Sequence, residues 1–371
     1  MKKLALICII SLIFSLTAYA NINLEDTLLR KKIGQMLIVG FNGTTLDEKN
    51  PIYDDIKNDR ISGVIIFSRD ASSQNTINGK KNTTKNVKSF KQLKKLISDL
   101  QAISDTKLFI TIDEEGGKIS RLPFLKTLSH KELGDKNDEM TTYLEAKKIA
   151  QTLKNLGVNI NFAPCVDLGL NPNSKVIYQL GRAFSDDPKI VAKHANAFIL
   201  AHQQFGVMTV LKHFPGHGST SADTHKGFSD ASLSWSEVEL EPYRALIGGG
   251  LAQGVMISHI FNSNLDKNYP ASLSKNTIGY LKRKMGFNGL IVTDDLQMNA
   301  IFDNYSLKEA IIASINAGCD LIILGNNLKY DKDSAKKFND IVFEAVKQGE
   351  IPISRINESY QKINLIKMGL N

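Results

Sequence analysis

Eight short β-rich apolar runs, each followed by a longer segment of helical period, constrain this 371-residue chain more than any other feature. They are "QMLIVGF" from Gln35, "GVIIFS" from Gly63, "LFITID" from Leu108, "NINFAP" from Asn159, "VMTVLKHF" from Val207, "GVMISHI" from Gly254, "GLIVTDD" from Gly289 and "LIILGN" from Leu321. Between them lie helical segments such as "FKQLKKLISDLQAIS", "MTTYLEAKKIAQTLKNLG", "PKIVAKHANAFILAHQQFG" and "SLKEAIIASINAGCD", several closing on a glycine where a helix C-cap belongs. Strict strand–helix alternation implies a parallel sheet, and eight units in about 340 residues favour a closed (β/α)8 TIM-type barrel. We expect one domain over residues 21–371, with any irregularity at the first strands. A doubly wound open sheet is the second reading, because periodicity does not show closure.

The ends carry further information. "MKKLALICIISLIFSLTAYA" has two lysines, an apolar run and an Ala-x-Ala ending, the pattern of a secretory signal peptide cut after Ala20. The run is shorter than the roughly 20 residues of a spanning helix, so no stable membrane anchor is expected. Export to the periplasm follows as the expected localisation. Residues 24–33 read as an opening amphipathic helix, 69–88 as a long polar loop, and "SRINESYQKINLIKMGL" as a closing helix. The formal charge of +8 falls to +6 without Lys2 and Lys3, too weak a bias to argue nucleic-acid binding. Cys165 and Cys319 sit in apolar segments and read as small core residues rather than half of a disulfide framework.

In a barrel, chemistry emerges at the C-terminal strand ends, and polar residues cluster at five of them. The third run ends in "DEEGGKISR", the fourth in "CVDL", the fifth in "KHFPGHG", the sixth in "SHI" and the seventh in "TDDL". A single Asp at such a junction reads as a helix N-cap, but five polar exits converging on one face read as a site. The stretch "LKHFPGHGSTSADTHKG" from Leu211 allows a metal reading, with His213, His217, His225 and Asp223 as ligands, although no HExxH or CxxC pair supports it. An extended Asp-Thr-His offers another arrangement, in which Asp223 holds one imidazole nitrogen of His225 and leaves the other facing substrate. No GxSxG serine accompanies the pair, and Asp294 in "IVTDD" is the best-placed carboxylate nucleophile. Glu114 and Glu115 read as a helix start or a brace for Arg121, His217 as a loop cap, Asp295 as an N-cap or a support behind the site, and Asp167 and His259 as packing and hydrogen-bonding support for the pocket.

"KHFPGHG" followed by "DTH", with "IDEEGGKISR", "GRAF" and "GLIVTDDL", resembles glycoside hydrolase family 3, and within it the bacterial β-N-acetylglucosaminidases with an Asp-x-His dyad. The resemblance runs from "KIGQMLIVGF" to "SRINESYQKI". It implies a retaining exo-hydrolase that removes terminal β-linked N-acetylglucosamine, typically from peptidoglycan fragments. Carried over by position, Asp294 is the nucleophile, His225 the general acid/base and Asp223 its orienting partner. Asp113, Arg121, Arg182, Lys212 and His213 fall on the sugar-binding positions. The glycines and serines of "GHGSTSA" are expected to let the acid/base loop close over bound sugar. Lys118, Ala183 and Thr224 depart from the common "EGGR", "GRSF" and "DSH", none of them in a catalytic role. No cofactor or metal is implied, and the expected partner is a small carbohydrate bound by a monomer. A β-glycoside phosphorylase or β-glucosidase on the same scaffold, a non-catalytic sugar-binding protein and a metal-dependent hydrolase are the competing readings.

Overall fold

The computed structural model describes residues 24–71, 76–77, 80–81, 84–221, 227 and 229–370. The proposed signal peptide, Asp223 and His225 lie outside the described residues. The eight runs form β1 (Leu37–Gly40), β2 (Gly63–Ile66), β3 (Phe109–Ile112), β4 (Ile160–Asn161), β5 (Met208–Phe214), β6 (Gly254–Ile257), β7 (Leu290–Asp295) and β8 (Leu321–Leu324). Each pairs in parallel with its sequence neighbours, and Leu37 of β1 meets Ile322 of β8 to close the barrel. The open-sheet reading is thereby excluded.

The runs lack polar alternation because both faces of the sheet are covered. Every residue of these strands is buried except Asp294 and Asp295, at the end of β7. The first strands are regular: β1, β2 and β3 pair without a register break. Irregularity falls later than expected. β4 has only two residues, because Pro164 has no N–H to extend the ladder, and the strand resumes as an isolated bridge between Cys165 and Lys212. Register also shifts between Leu211 and Phe214 at the β5–β6 seam, and between Leu321 and Ile323 at the β7–β8 seam.

The helices are α1 (24–34), α2 (Pro51–Lys57), α3 (Phe90–Ala102), α4 (His130–Lys136), α5 (Glu139–Leu156) and α6 (Pro188–Gln204). They continue as α7 (Glu241–Gly248), α8 (Lys275–Gly279), α9 (Asn299–Phe302), α10 (Leu307–Ala317), α11 (Ser334–Lys347) and α12 (Ile353–Gly369). Their limits follow from capping. Asp138 accepts from the Met140 and Thr141 N–H groups to start α5, and Ser306 and Glu309 form a reciprocal box at α10. Gly157 (φ 91°) and Gly318 (φ 117°) end those helices in the left-handed conformation. The 69–88 segment is not wholly irregular: Thr76–Ile77 and Lys80–Lys81 form a short antiparallel hairpin, bracketed by a bridge between Arg69 and Thr84. No helix among the described residues is long and apolar enough to cross a membrane. Cys165 and Cys319 are buried free thiols, as their apolar settings suggest.

Candidate active site

A cavity of about 490 Å³ opens at the C-terminal end of the barrel, and Asp113, Arg121, Arg182, Lys212, His213 and Asp294 all line it. Six residues picked out along 182 positions of sequence thus converge. Ile65, Met256 and Ile323 from the strands, with Phe67, Phe162 and Met298 beyond strand ends, supply apolar wall. A pocket for a polyol needs this mixture: apolar surface for C–H faces and a few fixed charges for hydroxyls.

The charges are organised around β5. Lys212 Nζ lies 2.8 Å from Asp113 Oδ1 and 2.7 Å from Glu115 Oε1. Asp113 also receives Arg121 at 3.3 Å, and Glu115 takes the Arg182 fork through Nη2 at 2.7 Å and Nε at 3.0 Å. Burial pushes the Asp113 and Glu115 carboxyls up, but the adjacent cations outweigh it and hold both below the ordinary carboxylate range. Burial likewise works against charge on Lys212, and Asp113 with Glu115 overcomes it to raise that pKa. The cavity wall is therefore a preformed set of permanent charges rather than a reservoir of protons.

His213 follows Lys212 across a cis peptide, and its Nδ1 lies 2.6 Å from Asp167 Oδ2. Arg182 Nη2 stands 3.1 Å from Nε2. A guanidinium only donates, so Nε2 accepts and Nδ1 carries the proton given to Asp167. Asp167, 1% exposed, also accepts the His213 and His217 backbone N–H groups at 3.2 and 2.8 Å. Burial raises its pKa, but His213 and these donors outweigh that and hold it ionised.

Of the four residues in the metal reading, only His213 and His217 are described. Both ring nitrogens of His213 are engaged, and His217 turns its Nδ1 to Thr220 Oγ1 at 2.6 Å. Among the described residues, Cys165, Asp167 and His213 are the only three metal-capable side chains grouped closely. There the carboxylate is saturated with donors, burial pushes the thiol far above its usual pKa, and Arg182 brings a competing positive charge.

Asp294 and Asp295 end β7, and both line the cavity. Asp295 Oδ1 accepts the backbone N–H of Gln297 at 3.0 Å and of Gly325 at 2.9 Å, tying the β7 and β8 exits together. Asp294 Oδ1 accepts the backbone N–H of Asp295 at 2.8 Å, and its side chain faces the cavity. His259 supports the same exit, bridging Ser272 Oγ (2.8 Å) and the Asp295 carbonyl (2.9 Å).

Comparison with known proteins agrees with this geometry. Residues 28–366 match the family described as "Glycosyl hydrolase family 3 N terminal domain". The chain belongs to glycosyl hydrolase family 3. It is 31% identical over 312 residues to a beta-hexosaminidase of Nitrosomonas eutropha, covering 81% of this chain and 82% of that one. It is 33% identical over 271 residues to the beta-hexosaminidase LpqI of Mycobacterium tuberculosis, covering 70% and 68%. Among solved structures, a family 3 beta-N-acetylglucosaminidase from Paenibacillus sp. FPU-7 superposes with a TM-score of 0.81 at 31% identity. That match covers 92% of this chain, which spans 62% of the Paenibacillus protein's length.

Of the two readings of Glu114 and Glu115, the brace for Arg121 holds for Glu114 and the helix start does not hold. Glu114 alone braces Arg121, accepting the Arg121 and Leu122 N–H groups at 2.8 and 3.2 Å. Glu115 is instead the hub for Lys212 and Arg182. Its signal was a second acid next to a site carboxylate, which sequence cannot distinguish from a helix start. Lys85 also went unnoticed in the polar loop; it is buried, donates to the Asn326 carbonyl and the Asn327 side chain, and steadies a cavity wall.

Proposed function

We propose that this protein is a retaining exo-β-N-acetylglucosaminidase that releases terminal N-acetylglucosamine from peptidoglycan-derived fragments through a covalent glycosyl-enzyme. The observation that carries the reading is Asp294: with Asp295 it forms the only unburied end of any barrel strand, and it lines the cavity shared by the five charged or polar positions. A retaining mechanism needs a nucleophile and a separate proton donor. Asp294 is the nucleophile.

The proton donor is His225, oriented by Asp223. What supports this is the state of the other acids. Asp113 is held ionised by Lys212 and Arg121, and Asp295 is occupied by backbone N–H groups. Burial pushes Glu114 up to about 7, yet it braces backbone and does not line the cavity. Asp113 is ionised and Glu114 does not reach the cavity, so neither protonates a leaving oxygen there, whereas an imidazole titrates near neutral pH. Asp113, Arg121, Arg182, Lys212 and His213 bind the sugar. Export rests on the "MKKLALICIISLIFSLTAYA" pattern; a mature N-terminus at Asn21 by mass spectrometry supports it, and an intact Met1 on protein from cells contradicts it.

The test is a panel of aryl β-glycosides, each assayed with and without phosphate and chelator. Preference for the N-acetylglucosaminide, independent of both additions, is expected. Phosphate-dependent turnover giving a sugar phosphate would move the assignment to a phosphorylase, and loss of activity with chelator to a metal-dependent hydrolase.

A further inference from the structure

The chain leading from the cavity toward Asp223 and His225 is gripped from two sides by buried carboxylates. Asp167, at the β4 exit, takes the His213 and His217 N–H groups as described above. The second grip comes from Glu239, on the 3-10 turn Glu237–Leu240 where the chain returns. Its Oε2 accepts the Gly218 N–H at 2.8 Å and its Oε1 the Ser219 hydroxyl at 2.6 Å.

The fit around this grip is close. A Cβ on Gly216 (φ 115°) would lie 2.8 Å from Glu239 Oε2, and one on Gly218 would lie 1.8 Å from the Leu168 carbonyl. Trp235 Nε1 donates to the Pro215 carbonyl at 3.0 Å. Residues 211–220 are all buried, and Ser221 is exposed. Glu239 is 1% exposed, and among the described residues it makes no ion pair. A buried carboxyl without a counter-ion is costly, so it is an expensive way to hold a loop unless the loop's position matters.

We infer that Glu239 is a positioning residue for the reaction: through Gly218 and Ser219 it fixes where the chain departs toward the acid/base pair, without touching substrate. The inference rests on the proposed role of His225. Burial, opposed by the Ser219 and Gly218 hydrogen bonds, pushes the Glu239 carboxyl up to about 7. The grip survives protonation, since the neutral acid still accepts from Gly218 on one oxygen and can donate to Ser219 from the other. A glutamine side chain offers the same acceptor–donor pair.

The experiment measures kcat/KM of the full chain for an unactivated N-acetylglucosaminyl disaccharide and for a nitrophenyl N-acetylglucosaminide. Both report the glycosylation step, and only the disaccharide needs strong proton donation. Glu239→Ala is expected to lower the disaccharide value roughly ten- to a hundredfold and the aryl value less than about threefold, short of the ~10²–10⁴-fold of a lost general acid. Inhibition by free N-acetylglucosamine stays unchanged, and Glu239→Gln restores the disaccharide rate. Should Glu239→Ala not fold, Ser219→Ala shows the same selectivity in weaker form. Equal losses on both substrates, or no loss on either, would overturn the inference. His225→Ala is run alongside: if it lacks leaving-group dependence, the acid/base reading fails and this inference with it. If it shows that dependence and Glu239→Ala does not, only the role of Glu239 is refuted.

Discussion

Lys212, 2% exposed, is held between Asp113 and Glu115, and Glu115 in turn holds Arg182. Glu115→Ala leaves two buried cations short of a partner, and breaking a buried pair this way typically costs ~3–5 kcal/mol. We expect that loss in urea unfolding, together with a raised KM as Arg182 shifts against His213. The positions of Lys212 and His213 were legible because both follow an apolar strand run. Glu115 was not, since a sequence shows charges but not which of two adjacent acids turns toward the barrel. His225→Ala is expected to lower kcat/KM for the unactivated disaccharide by ~10²–10⁴-fold and that for nitrophenyl glycosides far less. Azide should restore part of kcat on the activated substrate and yield a β-azido sugar. Equal losses without azide rescue would dismiss the histidine as proton carrier.

At the scale of elements, the two ends of the barrel divide their work as the strand polarity requires. Asp294 sits at the open end of β7. At the other end, Asp320 precedes β8 with no exposed surface and is gripped by α12: Arg355 at 3.0 Å, Lys362 at 2.8 Å and Ser359 Oγ at 2.8 Å. Asp320→Ala should therefore destabilise the fold by ~3–5 kcal/mol while leaving kcat/KM at permissive temperature near wild type. A selective loss of turnover with unchanged melting would contradict this division. All eight strands and the closing helix were legible because apolar runs and helical periods are local signals. The short β4 and the two register shifts were not. They depend on how neighbouring strands meet, and a proline inside an apolar run does not reveal which ladder it interrupts. The hairpin at 76–81 was hidden for a similar reason, being two residues per strand in a segment without apolar alternation.

The whole molecule carries ionisable groups whose burial links stability to pH. Lys367 of α12 is buried against Gln35 and Ser62, with Nζ 2.7 Å from Gln35 Oε1 and 2.9 Å from the Ser62 carbonyl. Burial lowers its pKa to about 7 from 10.5. The unfolded chain then binds the extra proton between those values, so this residue's penalty is full below pH 7 and fades as pH rises toward 10.5. Lys367→Met should accordingly lose stability relative to wild type as pH rises from about 7 to 10, by urea unfolding. A pH-independent difference would show that the amine is charged in the fold. The polar end of the barrel has the opposite sensitivity: Asp113 and Glu115 have depressed pKa values, so their contribution is present above the ordinary carboxylate range and is lost as pH falls below that range through the depressed values. Both effects bear on how the chain survives, while the proposed activity turns on one carboxylate. The most direct measurement is to trap the enzyme with a slowed fluoro-glycoside and map the modified peptide by mass spectrometry. A single glycosyl adduct on Asp294, absent from a folded but inactive Asp294→Ala variant, is the predicted result; an adduct on Asp295 or Asp113, or turnover with inversion and no adduct, would contradict it.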